Sequence, residues 1–145
     1  MAIENKKARF DYEPLENFEA GIVLRGFETK AIRAGKASLK GAHAKIYNGE
    51  LWLVNAHISP YQEKNTPSGY DPERPRKLLA HKQEISRLVG ALHEKGLTLV
   101  PVKMYNKGRQ IKIELMLGRS KKKFDKRAAI KKRDTERQVG RKLKG

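Results

Sequence analysis

The 145-residue chain contains no cysteine. That absence excludes a disulfide framework, a thiolate metal site and a cysteine nucleophile. Nowhere does an apolar run approach the roughly 18 residues that a membrane span needs. Acid is scarce beside base: 16 Asp+Glu stand against 33 Lys+Arg, a formal net charge of +17. Aromatic residues make up 7% of the chain, with a single Trp. The loop-and-helix signature of a Walker phosphate cradle is missing, since no Gly-Lys-Ser/Thr falls at the right spacing. Neither Gly-x-Ser-x-Gly nor His-Glu-x-x-His occurs. His43, His57, His81 and His93 are scattered singly, and the carboxylates are interleaved with lysines. The chain therefore reads as a protein that is not an enzyme and holds no cofactor or metal. Its N-terminus, Met1 to Lys7, puts charges where a secretory leader needs an apolar core to follow, so a cytoplasmic location is expected.

What the chain does have is positive charge, unevenly spread. From Arg119 to Gly145 there are 13 Lys+Arg against 3 Asp+Glu. Such a block repels itself and stays solvated until it meets a polyanion, unless it serves only to solubilise. Ile130 and Val139 are nine residues apart, on opposite sides of any helix, so no stripe exists to dock this segment on the rest of the chain. The expected organisation is a compact body, residues 1–118, and a basic tail, residues 119–145. The tail is expected to be disordered when free and helical in a narrow anionic channel, because its Lys, Arg, Ala, Gln and Glu favour helix. Nucleic acid is the partner this charge favours. An anionic membrane is the competing polyanion, but no basic helix with a large apolar face is visible.

The body reads as strands with few helices. Residues 5–12 mix Lys6, Lys7 and Arg9 with Phe10 and Tyr12, which suits a short strand with its aromatics inward, its cations facing solvent or phosphate. Asn17, Glu19 and Gly26 frame a short helix over 18–24, with a strand through Ile22-Val23 as the alternative. Phe27 to Ala34 reads as a strand ending at Gly35. Asn48-Gly49 between two alternating runs predicts a hairpin that pairs Ile46 with Leu51 and Ala44 with Leu53. Trp52 then lies on the opposite face with Lys45 and Tyr47, placed to stack a base or to pack under a neighbour. Four of the six prolines fall in a long loop, Ser59 to Arg76, closed by Arg74, Arg76 and Lys77.

Ile85, Leu88, Val89 and Leu92 carry the i, i+3, i+4, i+7 stripe of a helix over Lys82 to Lys95, stopped by Gly96, with Gly90 read as a close-packing position. Leu78 and Leu79 either extend it or form a strand before it. Runs 97–105 and 109–117 flank Asn106-Lys107-Gly108 as a second hairpin. Thr98, Val100, Val102 and Met104 are expected on one face, and Ile111, Ile113, Leu115 and Leu117 on another. Lys103, Arg109 and Lys112 project elsewhere. The fold class expected is mainly β with flanking helices, a small OB-fold-like barrel, with an open α+β sheet as the alternative. His81, near Lys77 and Lys82, is the histidine best placed for RNA. Phe124, the one large aromatic of the tail, is a candidate for stacking.

These residues in this order also carry a family resemblance. Asn5-Lys6-Lys7-Ala8-Arg9 with Tyr12, Phe18 to Ile22, Glu28 to Lys36, Pro72 with Arg74, Arg76 to Lys82, Glu84-Ile85, Gly96 to Pro101 with Tyr105, and Asp125-Lys126-Arg127 together resemble the small protein B family, the transfer-messenger RNA-binding proteins of bacterial trans-translation. The resemblance implies an OB-type barrel that binds the tRNA-like part of that RNA. It implies delivery with elongation factor Tu to stalled ribosomes, and a tail placed against small-subunit RNA in the decoding centre and message channel. It ties Glu19, Leu79 and His81 to RNA binding. Candidate RNA contacts are therefore Asn5, Lys6, Lys7, Arg9, Glu19, Lys30, Arg33, Lys36, Arg76, Lys77, Leu79, His81, Lys82 and Tyr105. Candidate ribosome contacts in the tail are Lys121, Lys122, Lys123, Phe124, Asp125, Lys126, Arg127, Lys131, Lys132 and Arg133. Two positions depart from the family pattern. Ser120-Lys121-Lys122 stands where Gly-Lys-Lys is common, which would move a glycine hinge to Gly118. Phe124 stands where His or Tyr is common and keeps only the ring. A general ribosomal or RNA-chaperone protein is the competing reading, and an RNA-processing enzyme would need an acid cluster that is not apparent.

If phosphate contacts carry the binding, RNA affinity falls with salt at a log–log slope of about −0.7 to −0.9 per neutralised phosphate. Filter binding across a salt series measures this, and a flat response would contradict charge as the basis of binding.

Overall fold

The computed structural model describes residues 2–62, 64, 66–94 and 96–121. Its elements are β1 (Ala2–Glu4), α1 (Lys6–Asp11), β2 (Tyr12–Ile22), α2 (Gly26–Arg33), β3 (Ala37–Ser38), β4 (His43–Tyr47), β5 (Glu50–Val54), β6 (His57–Ile58), β7 (Arg76–Leu79), α3 (Lys82–Leu92), β8 (Leu97–Lys107) and β9 (Gln110–Ser120). The main sheet runs β1-β8-β4-β5-β7-β2-β9, and β8 also pairs with β9. That last pairing closes β8, β4, β5, β7, β2 and β9 into an antiparallel barrel. β1 and β4 share one edge of β8, at Lys103–Tyr105 and at Leu99 respectively. The expected small β-barrel with flanking helices is the architecture found.

Alternation along the strands sorts the side chains. Phe18, Ala20 and Ile22 of β2, Leu51 and Leu53 of β5, Leu78 of β7 and Ile111, Ile113, Leu115 and Leu117 of β9 all face one core. Helices α2 and α3 add Ala31, Ile32 and Leu88 to it. The Asn48-Gly49 hairpin forms in the expected register, Ile46 opposite Leu51 and Ala44 opposite Leu53. Both turn residues have positive φ, 50° and 73°, as a tight hairpin turn requires. Leu78 and Leu79 form a strand rather than a helical extension.

Several expectations are corrected. Residues 6–11 are a helix, because Asn5 caps it: its Oδ1 accepts from the Ala8 N–H at 3.3 Å. Phe10 consequently lies 66% exposed instead of inward. Residues 18–24 are not a helix; β2 runs straight through Gly21, and Asn17 donates to Glu114 Oε2 at 3.2 Å instead of capping. Residues 27–34 are not a strand but α2. Glu28, Ala31 and Ile32 form its buried face, and Gly35 at φ +76° ends it, with Lys36 N–H donating to Ala31 O at 2.8 Å. A bulge between Pro101 and Lys103 splits the expected face of β8. Met104 enters the main core, whereas Val100 and Val102 turn outward to meet Ala8 and Met116 in a second cluster beneath α1. The second hairpin is longer than expected, with Lys107 opposite Gln110. Helix α3 ends at Leu92, and a Cβ on Gly90 would meet no other element within 4 Å among the described residues, so the glycine serves no close packing there. Strand β9 continues past Gly118 to Ser120, which pairs with Tyr12, so the sheet takes the first two residues of the expected tail. Gly118 itself is buried between Pro14 and Thr98 and is no hinge; a Cβ there would sit 3.1 Å from that of Tyr12.

A buried cluster of charged groups joins α2 to β7. Glu28 and Arg76 are both 0% exposed. Arg76 donates to Glu28 Oε2 through Nη2 at 2.7 Å and Nε at 3.0 Å, and through Nη1 to Ala56 O at 2.8 Å. Arg74 adds a donor to each Glu28 oxygen, and the Arg25 N–H donates to Oε1 at 2.9 Å. The Tyr70 hydroxyl sits within 3.0 Å of Glu28, Arg76 and Ile58 O. Burial alone would raise the Glu28 pKa, but the two guanidiniums and the Arg25 N–H outweigh it and hold the carboxyl at about 2.

Glu28→Ala is expected to cost about 3–5 kcal/mol of stability, because it strands a buried guanidinium. Replacing Glu28 and Arg76 together by Leu and Met is expected to recover much of that loss. Urea midpoints at unchanged m-value measure both. Because the folded pKa lies below the ordinary 4.5, the carboxylate's contribution is complete above that value and is lost as pH falls toward about 2. A Glu28→Gln protein should lack this part of the acid transition.

Candidate nucleic-acid interface

The outward residues of β7, β2, β9 and β8 fall into rungs. Leu79 stands opposite Gly21, Gly21 opposite Lys112, and Lys112 opposite Tyr105. The next rung runs Glu19, Glu114, Lys103. Further along β9, Met116 lies under α1. One outer face thus carries, in order, a groove with apolar and cationic walls, an acid pair and a cationic helix.

The groove measures about 290 Å³ and lies between α2, the end of β7 and the start of β9. Gly21 floors it, and Leu79, 53% exposed, forms one wall. A Cβ on Gly21 would lie 3.3 Å from the Leu79 Cβ and 3.7 Å from Lys112 Nζ, so the glycine is what lets wall and cation close on the floor. Arg109 and Lys112 line the opposite side. Arg33 braces the hairpin tip that carries them, donating through Nε to Asn106 Oδ1 at 3.2 Å and through Nη2 to Arg109 O at 2.7 Å.

Glu19 is held in the middle of the face. The Tyr105 hydroxyl donates to its Oε2, and Lys107 Nζ lies 3.0 Å from Oε1. The Tyr105 bond first, then Lys107, lower the Glu19 pKa below the usual carboxylate range. Burial and the Glu19 bond push the Tyr105 hydroxyl up to about 12, so it remains a donor at neutral pH. Lys103 Nζ lies 5.4 Å from the centre of the Tyr105 ring. A carboxylate so fixed is an oriented acceptor, suited to a ribose 2′-hydroxyl or an exocyclic base amine and repellent to phosphate.

The structure brings Glu19, Leu79 and Tyr105 onto this face, and His81 follows Leu79 as the exposed residue before α3, with Lys82 exposed at its start. Lys6, Lys7 and Arg9 are exposed on α1 at the far end. Lys30 and Arg33 are exposed on α2, and Lys36 just beyond it stands 5.6 Å from the Tyr61 ring centre. Lys77 is exposed on β7 and paired with Glu50 at 2.5 Å. Two candidates are corrected. Arg76 is fully buried, its guanidinium committed to Glu28, and presents no charge outside. Asn5 is 7% exposed and structural: besides capping α1 it donates to Pro101 O at 2.9 Å. Sequence reasoning missed Gly21 and Lys107 as parts of the site. Strand alternation was the signal for Gly21, while the Lys107–Glu19 contact spans 88 positions and leaves no local trace. Among the described residues no cluster of His, Cys, Asp or Glu could hold a metal ion, and no helix is long and apolar enough to cross a membrane.

Of the candidate tail residues, Lys121 is described. Its N–H donates to Asp11 O at 3.3 Å, and its Nζ lies 5.5 Å from the Phe10 ring centre. Lys122, Lys123, Phe124, Asp125, Lys126, Arg127, Lys131, Lys132 and Arg133 lie outside the described residues.

A model of the SmpB protein family matches residues 2–145. An SsrA-binding protein of Desulforudis audaxviator is 52% identical over 142 residues, covering 98% of this chain and 92% of that protein. One from Carboxydothermus hydrogenoformans is 54% identical over 141 residues, covering 97% and 94%. Among solved structures, a chain described under "tmRNA-SmpB: a journey to the center of the bacterial ribosome" matches with a TM-score of 0.70 at 48% identity, covering 86% of this chain and 87% of that one. The chain belongs to the SmpB protein family.

Tyr105→Phe removes the hydroxyl donor to Glu19, so the Glu19 pKa should rise toward the ordinary carboxylate value. Carbon-detected NMR titration of the Glu19 carboxyl reads this directly. An unchanged titration would mean that the hydroxyl does not hold the acid.

Proposed function

We propose that this protein is a transfer-messenger RNA-binding adaptor of trans-translation, working with the ribosome and catalysing no reaction of its own. Membership of the SmpB family supports the RNA and the process. The observation that carries the division of labour is the outer face of β7, β2, β9 and β8, where an oriented acid, an exposed leucine and a groove lined by cations lie side by side. On this reading the face binds the tRNA-like domain. Leu79 packs against a base or ribose, Glu19 accepts a hydrogen bond, and Lys112, Arg109 and the α1 cations neutralise phosphates on either side.

The adaptor is delivered with its RNA and elongation factor Tu to stalled ribosomes. The basic segment after Lys121 enters the decoding centre and message channel. Lys121, tied to Asp11 and set against Phe10, makes α1 the mount from which that segment leaves the body. Phe124 keeps the ring of the family position without its hydrogen-bonding group, which suits stacking.

RNA sequenced from the natively purified protein is expected to be dominated by one transfer-messenger RNA; a broad mixture of ribosomal and messenger fragments would favour a general RNA-binding role. Truncation after Lys121 preserves β9 in full and should leave affinity for that RNA within a few-fold while abolishing tagging on stalled ribosomes. Reversing the charge of Lys126 and Arg127 should act in the same direction. Loss of RNA affinity on truncation would overturn the assignment of roles.

A further inference from the structure

The outer face of the barrel continues past Leu79 onto β5 and β4, and there it carries the chain's single tryptophan. Trp52 stands directly opposite Lys45 on one side and Lys77 on the other. Their sequence neighbours Ala44, Leu51, Leu53 and Leu78 point into the core, so these three side chains point out. Trp52 belongs to neither apolar cluster. It is partly exposed, yet its Nε1 is shut away from solvent and has no hydrogen-bond partner among the described residues. What solvent reaches of this side chain is therefore ring carbon. Tyr47, 38% exposed, is the next outward residue of β4 after Lys45.

We propose that Trp52, flanked by Lys45 and Lys77, is a stacking platform for an unpaired base of single-stranded RNA. The inference rests on the reading that the body binds RNA and extends it to a second place on the surface. Three observations carry it. An indole with an exposed carbon surface takes any base, because every base has a π-face. Cations on both sides of the ring along one rung fit a backbone that runs across the strands, with a phosphate on each side of the stacked base. Lys77 is engaged by Glu50, but both side chains are more than 40% exposed, and a solvent-exposed pair of this kind is readily exchanged for phosphate. The platform is also continuous with the groove, since Lys77 and Leu79 are successive outward residues of β7. An RNA strand leaving the groove along the outer face of β7 meets Lys77 and then Trp52.

The single tryptophan makes the test direct. The full-length protein is titrated with an oligoadenylate of about eight nucleotides, within the span of known single-strand sites. Tryptophan emission is followed in parallel with the anisotropy of an end-labelled copy. Emission should be quenched and should saturate with the anisotropy. Trp52→Leu should weaken oligoadenylate binding about tenfold, while Trp52→Phe keeps most of the affinity. Lys45→Gln and Lys77→Gln should each shallow the salt slope by about one single-strand phosphate's share.

Oligoadenylate bound with unchanged emission, no binding at all, or equal quenching by polyglutamate would each overturn the proposal. If Trp52→Leu does not fold, the wild-type emission and the Trp52→Phe affinity decide. Retention of full-length transfer-messenger RNA by the wild-type protein alongside any of those failures sinks the platform alone. Loss of that RNA as well sinks the broader reading with it.

Discussion

The buried pair of Glu28 and Arg76 is the constraint on which the rest of the body depends. Two fully enclosed charges are costly unless every donor and lone pair is answered, and here the answering groups come from four separate parts of the chain. Glu28 is on α2, Arg76 begins β7, Ala56 lies between β5 and β6, and Tyr70 and Arg74 belong to the proline-rich loop. None of these segments can move without stranding a charge. The Tyr70 ring also meets Phe27 edge-on, with centroids 4.8 Å apart, so the loop is packed onto α2 as well as hydrogen-bonded to it. A loop that composition alone would leave loose is thereby joined to the barrel at a defined place.

The consequence reaches the outer face. Fixing α2 fixes Arg33, and Arg33 grips the tip of the β8–β9 hairpin at Asn106 and Arg109. That tip carries Lys107 to Glu19 and Arg109 to the groove. Fixing β7 fixes Leu79 against Gly21, where the absence of a side chain lets two strands present wall and floor at van der Waals distance. A second and separate mount sits at the other end. Asn5 answers the carbonyl of Pro101 at the β8 bulge and caps α1 with the same side chain, so the cations of that short helix are set by one residue. An interface for a folded RNA needs its phosphate and base contacts at fixed spacing, and both ends of this face are held by groups that are themselves buried.

How much of this was legible in the sequence follows from where the physics is local. The Asn48-Gly49 turn and its register could be read because both depend on adjacent residues. The inward face of β9 could be read because four branched or long aliphatics alternate without interruption. Helix α2 could not, since one of its buried positions is occupied by Glu28, and an apolar-period argument counts a glutamate as surface. Arg76 was taken for an exposed cation for the same reason: only the fold supplies its counter-charge, 48 positions away. Strand β2 was obscured by the bulge between Pro14 and Glu16 and by Gly21, which weakens a strand reading until its close neighbours are known. In the site, Glu19, Leu79 and His81 came from the family pattern and the cations from alternation. The bond from Tyr105 to Glu19 joins residues 86 apart and had no local signal.

Positive charge brings any RNA to such a protein, so charge alone discriminates poorly between RNAs. The acids in the face are what could supply discrimination. Glu19 and Glu114 stand directly opposite each other on β2 and β9, an arrangement that costs stability between like charges. Each is compensated from outside the pair, Glu19 by Tyr105 and Lys107 and Glu114 by Asn17. The pair divides the face into cationic zones, with Lys112 and Arg109 on one side and the α1 cations on the other. On the proposed interface, a backbone that laid a phosphate across the middle would meet two carboxylates. One that turned a ribose or a base edge there would find acceptors already oriented. Selection of this kind acts on the path of the RNA as much as on its sequence, which suits a partner distinguished by its folded shape.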